Sequence, residues 1–149
     1  MIKDSWGVIL SIVLFVAVAF FTINHDFTKP KTFDVEIAGV TLEVGVARTP
    51  AERTTGLSGV ASLSEDEGML FVFEKPDTYD FWMKGMLFPL DIIWLDQDKK
   101  VIHIEKNALP ESYPKAFGPD QNSAYVLEVV AGFSDKHKLK IGDQAEFDF

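Results

Sequence analysis

Cysteine is missing from all 149 residues. Its absence excludes disulfide bridges, thiolate metal sites, a cysteine nucleophile and a lipid-modified cysteine anchor. It says nothing about compartment, because an exported domain with an adequate core can do without bridges. Histidine is scarce as well: His25, His103 and His137 are far apart and share no metal-ligand spacing. Basic residues are few, 14 Lys and Arg against 23 Asp and Glu, for a formal charge of −9. With no basic run to neutralise phosphates, a nucleic-acid partner is not expected. Ser58 in "GLSG" lacks the G-x-S-x-G spacing of a nucleophile elbow and reads as a loop serine. Neither a metal nor a cofactor is expected.

One long run lacks charge altogether. Residues 6–23, "WGVILSIVLFVAVAFFTI", have no polar face, and as a helix they would extend about 27 Å, close to the hydrocarbon thickness of a bilayer. A single-pass membrane helix is therefore expected within residues 1–24. The small-x-small "AVA" at 17–19 has the form of a signal-peptidase site, but the apolar run continues past it, which favours an uncleaved anchor. Flanking charges are nearly balanced, and the short segment ahead of the span favours a soluble domain outside the cytoplasm. Residues 25–32 read as a polar tether, leaving 33–149 as the domain proper.

The whole chain has 47% hydrophobic and 25% charged residues, a globular balance. Period-two alternation marks two strands around Ala38-Gly39, and further strands at 68–74, 80–84, 90–96, 101–107 and 123–132. Thr49, Pro50, Glu52 and Gly56 carry the signs of a short capped helix, and Ser134 is placed to cap another. The three-proline stretch 108–121 reads as a surface loop, and 144–149 as the strand that closes the sheet. The fold class is all-β, a jelly-roll-like sandwich or barrel with one or two short helices.

The motifs "ERTTGL", "DEGMLFVF", "FWMK" with "PLDIIWLD", "YVLEVVAG" and "IGD" occur in order between about residues 41 and 146. In this series the chain resembles the "domain of unknown function 192" family of small prokaryotic proteins, often exported. The resemblance implies a jelly-roll-like β-sandwich and no settled activity. Two departures stand out: Ser58 and Val60 replace the family's usual Met and Arg after "GL", and Gly85 and Met86 replace Asn-Thr after "FWMK".

Charges embedded in apolar segments are the candidates for chemistry. Lys84 shares a strand face with Trp82, Asp91 with Ile93 and Leu95, and Glu128 with Val126 and Val130, while Arg53 lies on the short helix. A buried charge costs several kcal/mol unless it is paired or reaches water. Two readings stay open. In one, Lys84 pairs with Asp91 and Arg53 with Glu128, for structure only. In the other, all four line one cavity where Arg53 and Lys84 receive a small polar or anionic ligand, Trp82 stacks on it, and Asp91 and Glu128 orient it. The function put first is a non-catalytic binding or accessory domain at the cell envelope, with an envelope saccharide among the candidate ligands. The alternatives are a glycan-directed hydrolase or lyase using Asp91 and Glu128 as paired carboxylates, and a structural or protein-interaction module without a ligand.

Overall fold

The structure, a computed structural model, describes residues 31–148. The expected membrane helix lies outside the described residues, as does all of the tether but its last two residues. Among the described residues no helix is long and apolar enough to cross a membrane.

The chain enters through a hairpin, β1 (Thr32–Ile37) and β2 (Val40–Ala47), paired antiparallel. Its turn is Ala38-Gly39, with φ of 53° and 74°, the left-handed geometry that matches the twist of two-residue hairpins. Val35, Ile37, Leu42 and Val44 point inward at period two and are fully buried or nearly so. The next strand, β3 (Glu67–Asp77), runs parallel to β2, so residues 48–66 must cross over the sheet. That crossover carries α1 (Pro50–Thr55). Thr49 and Glu52 form the expected capping box, Pro50 opens the helix and Gly56 ends it.

β4 (Phe81–Trp82) leaves the sheet, and β5 (Leu90–Leu95) and β6 (Val101–Ala108) form a second hairpin. β7 (Ala116–Phe117) pairs with β4 as a two-stranded ribbon. β8 (Ser123–Val130) sits between β5 and β3, α2 (Phe133–Lys136) follows it, and β9 (Ala145–Glu146) pairs with β1. The seven strands order as β6-β5-β8-β3-β2-β1-β9. Lys100, just before β6, bridges Gln144, just before β9, so the sheet curls until its two edges meet at one end.

The all-β class expected from the alternation is the class observed, and of the sandwich or barrel expected, the curled main sheet follows the barrel form as a half-barrel. One curled sheet wraps an inner core that includes Leu42, Val44, Leu70, Ile93 and Leu127. Its outer face carries a second apolar layer, including Phe71, Ile92, Trp94 and Val126, covered by the α1 loop and the β4–β7 ribbon through Leu57, Met83 and Phe117. Central strands buried on both faces read as continuous apolar runs, and all six residues of β5 are buried. The three-proline stretch is accordingly more than a surface loop, since it supplies β7. Ser134 is not a cap either: Gly132 is the N-cap of α2, and Ser134 lies inside the helix.

Candidate functional site

Strand register separates the two embedded acids. Glu128 lies opposite Met69 of β3 and Ile92 of β5, while Asp91 lies opposite Val129. Because neighbouring residues on a strand face opposite ways, Asp91 joins the inner-core side and Glu128 the outer. They cannot act as one acid/base pair.

Asp91 is fully buried and is satisfied by backbone. Its Oδ1 accepts from the Asn107 N–H at 2.9 Å and the Gly132 N–H at 3.2 Å, and its Oδ2 accepts from the Ser134 N–H at 2.8 Å. The carboxylate thus replaces the missing cap of α2 and ties it to the β5–β6 hairpin. The Lys84–Asp91 pair weighed from the sequence does not form, and Asp91 does not reach the cleft described next.

That cleft opens on the outer face, with a volume of about 310 Å³. Arg53 and Ser58 come from the crossover, Phe73 from β3, Tyr79 and Asp80 from the approach to β4, Trp82 and Lys84 from the ribbon and the turn after it, and Glu128 from β8. Several local contacts bring these segments together. Trp94 Nε1 donates to the Tyr79 carbonyl at 2.8 Å, which holds the 78–80 segment on the sheet. Phe81 packs its edge against Phe71, with centroids 4.8 Å apart. The α1 loop docks on the turn after β4: Ser58 Oγ donates to the Lys84 carbonyl at 2.9 Å, and the Gly59 N–H donates to the Gly85 carbonyl at 2.9 Å. Gly85 has φ 71°, and a Cβ there would stand 3.3 Å from the Ser58 Cβ. Two of the positions where the chain departs from the usual motifs, Ser58 and Gly85, therefore meet at this seam.

The charges in the cleft are unevenly satisfied. Arg53 donates through one terminal nitrogen to the Arg48 carbonyl and to the Val72 carbonyl, the latter at 3.0 Å, and its guanidinium lies 5.1 Å from the Phe73 ring centre. Phe73 in turn stacks on Tyr79 at 3.5 Å. Neither Arg53 nor Lys84 belongs to any ion pair among the described residues, which include the pairs Lys99–Asp148, Lys106–Asp135 and Lys136–Glu65. The Arg53–Glu128 pair weighed from the sequence is therefore also absent. Glu128 is only 5% exposed, and its Oε2 has no hydrogen-bond partner. Burial pushes its carboxyl up to about 8, so it is protonated and neutral at pH 7. Trp82, by contrast, is 53% exposed, its ring edge-on to Tyr113 at 6.3 Å.

Of the five residues singled out in the sequence, Arg53, Trp82, Lys84 and Glu128 line the cleft and Asp91 does not. Asp80 and Tyr79 were missed. The signal for Asp80 was present: in "DFWMK" it alternates with Trp82 and Lys84, and Phe81 and Met83 take the buried side. Tyr79 had no such mark. Among the described residues no group of three or more acidic or histidine side chains is placed to hold a metal.

A small curled β-sheet domain with a polar cleft on its outer face is the class that these features define. The chain matches the model of DUF192, described as "Uncharacterized ACR", over residues 33–147, and it belongs to that family. It is similar to a crystal structure of a protein of unknown function from Novosphingobium aromaticivorans, at 31% identity and a TM-score of 0.76, over 82% of this chain and 89% of that one. It is also similar to a structure from Sinorhizobium meliloti described as a putative transcription regulator, at 31% identity and a TM-score of 0.74, over 78% of this chain and 94% of that one. No curated protein matches the chain.

Proposed function

We propose that the cleft is a binding site for a small polar or anionic ligand, on a domain held outside the cytoplasm by an N-terminal membrane helix. The observation that carries the reading is Glu128: a buried carboxyl whose Oε2 has no partner among the described residues, on a cleft that also presents two cations outside any ion pair among those residues. Buried polar groups are ordinarily hydrogen-bonded, and each exception calls for a reason. A ligand that draws the Glu128 carboxyl toward the cleft and completes its hydrogen bonding supplies one. For the anchor, the support is the uncharged length of residues 6–23, and the full chain is expected in the membrane fraction.

The binding reading is tested by thermal denaturation of the full chain with inorganic phosphate, acetate and D-glucuronate. At least one of these should raise Tm, and Lys84→Met should remove the rise while leaving the circular dichroism spectrum unchanged. A wild-type Tm indifferent to all three would refute it.

One observation favours a second, catalytic reading. The cleft holds two carboxyls in contrasting settings, Glu128 buried and raised and Asp80 exposed. Paired carboxyls in unlike surroundings are the arrangement used for general acid catalysis of glycoside cleavage. In this reading Glu128 is the acid and Asp80 takes the place first given to Asp91. Release of nitrophenol from aryl glycosides, abolished in Glu128→Gln, is the outcome it expects, and no release from any of them would end it.

A further inference from the structure

The cleft offers three different surfaces to one occupant. Formal charges on its lining sum to +1, from Arg53 and Lys84 against Asp80, with Glu128 neutral. That balance suits a monoanion better than a phosphate dianion or a dicarboxylate. The cations also stand apart from Glu128: neither is within ion-pair distance, and burial is the only cause of the Glu128 shift, with no nearby cation opposing it. A compact ion seated on Arg53 and Lys84 therefore leaves Glu128 unsatisfied. An occupant that completes the site must carry its charge at one end and a neutral hydrogen-bonding group at the other.

The cleft also carries aromatic rings. Trp82 presents an exposed ring, and the stacked Phe73 and Tyr79 lie on the same cleft. Flat aromatic faces favour the C–H face of a ring over an extended polar chain. The volume is at the small end for ligand sites, which begin at about 300 Å³, and suits a small occupant. A protonated carboxyl both donates and accepts, the complement of a hydroxyl.

We propose that the occupant is a sugar acid, a hydroxylated ring bearing one carboxylate. Its carboxylate sits at Arg53 and Lys84, its ring lies against Trp82, and a hydroxyl meets the Glu128 carboxyl. The proposal rests on the ligand-site reading and narrows it. It also makes binding depend on a proton. The titratable and charged groups facing Glu128 across the cleft are Arg53 of α1, Tyr79 and Asp80 before β4, and Lys84 after it. Its register neighbours Met69 and Ile92 carry no charge. Ionised, Glu128 would set a second negative charge on the cleft wall, lower the formal sum to zero and lose its donor.

Calorimetric titration of the full chain with D-glucuronate, D-galacturonate, D-glucose and inorganic phosphate at pH 6.5 and pH 9 decides the matter. At least one of the sugar acids should bind, with glucose and phosphate at least about tenfold weaker, the size of one charge-assisted contact. Sugar-acid affinity of the wild type should fall about tenfold between the two pH values, as Glu128 ionises. In Glu128→Gln, which keeps a neutral donor, that fall should disappear, a change that a merely structural role would not produce. Trp82→Ala, at an exposed position that does not endanger the fold, should weaken the sugar acid about fivefold and leave phosphate unaffected. Phosphate binding as tight as the sugar acids, and dependent on Lys84, would overturn the sugar-acid assignment while keeping an anion site. Sugar-acid affinity that is the same at both pH values would overturn the role of Glu128. No binding of any of the four would overturn the assignment and the ligand-site reading together.

Discussion

Asp91 and Glu128 sit on neighbouring strands, one step apart in register, and both are buried acids. Yet their surroundings are opposites. Asp91 faces inward and receives three backbone N–H groups, whereas Glu128 faces outward and receives none at its Oε2. The difference separates an acid that holds the fold together from one that the fold leaves incomplete. Burial by itself does not distinguish structure from function. For these two acids, what differs is whether the buried carboxyl has been satisfied by the chain's own backbone.

The widest break in this comparison comes from Asp91→Ala. Three backbone donors, one of them at a buried hydrogen bond, would lose their acceptor, the N-terminus of α2 would lose its side-chain partner, and stability should fall by about 3–5 kcal/mol, read from urea unfolding. Asp91→Asn keeps one acceptor oxygen but turns an NH₂ toward N–H groups, so its cost should be roughly half as large. If Asp91→Ala unfolded with an unchanged midpoint, the structural role assigned to this acid would be wrong.

Glu128 should respond with the opposite sign. Its folded value, about 8, lies above its ordinary 4.5, so the folded protein holds a proton that the unfolded chain releases between these two pH values. Stability from this group is fully present below about pH 4.5, declines as pH rises toward 8 and levels off above it. Glu128→Gln removes the titration, and at pH 8 it should be more stable than wild type by about 2 kcal/mol. Melting curves of both proteins from pH 5 to 9 check this; parallel profiles would mean that the carboxyl ionises freely. Glu52 and Glu65 work in the other direction at the acid end. Backbone hydrogen bonds from Thr49 and Arg48 lower Glu52, and a hydrogen bond from Lys136 lowers Glu65. Their contribution is present above about pH 4.5 and is lost below it, so the Glu128 effect is cleanest on the alkaline side.

Smallest of all should be the stability change in Lys84→Met, within about 0.5 kcal/mol, since Lys84 is exposed and outside any ion pair among the described residues. A loss much above that would make Lys84 part of the scaffold and narrow the gap between the cleft and the core.

Much of the frame was legible in the chain. Alternation marked the β1–β2 hairpin, and Ala38-Gly39 named its turn. Thr49, Pro50, Glu52 and Gly56 marked α1, because capping is local chemistry between residues a few positions apart. Asp80, Trp82 and Lys84 followed the same rule on one side of "DFWMK". Harder to read were elements whose partners are distant. Among the described residues β7 pairs with β4 alone, 36 residues apart at Phe81 and Phe117, and no pattern within two residues announces it. Gly132 caps α2 in place of Ser134 because Asp91, far back in the chain, supplies the acceptor.

By itself the sequence determined the all-β class, the family, the local caps and turns, and the set of charges embedded among apolar residues, since each depends on short-range spacing or composition. Only tertiary structure decided that the strands make one curled sheet, which acid faces which side of it, and that Arg53, Lys84 and Glu128 share a cleft while Asp91 does not. The reason is register: a shift of one residue between strands exchanges the two faces, and register is settled by pairings between segments that lie far apart along the chain.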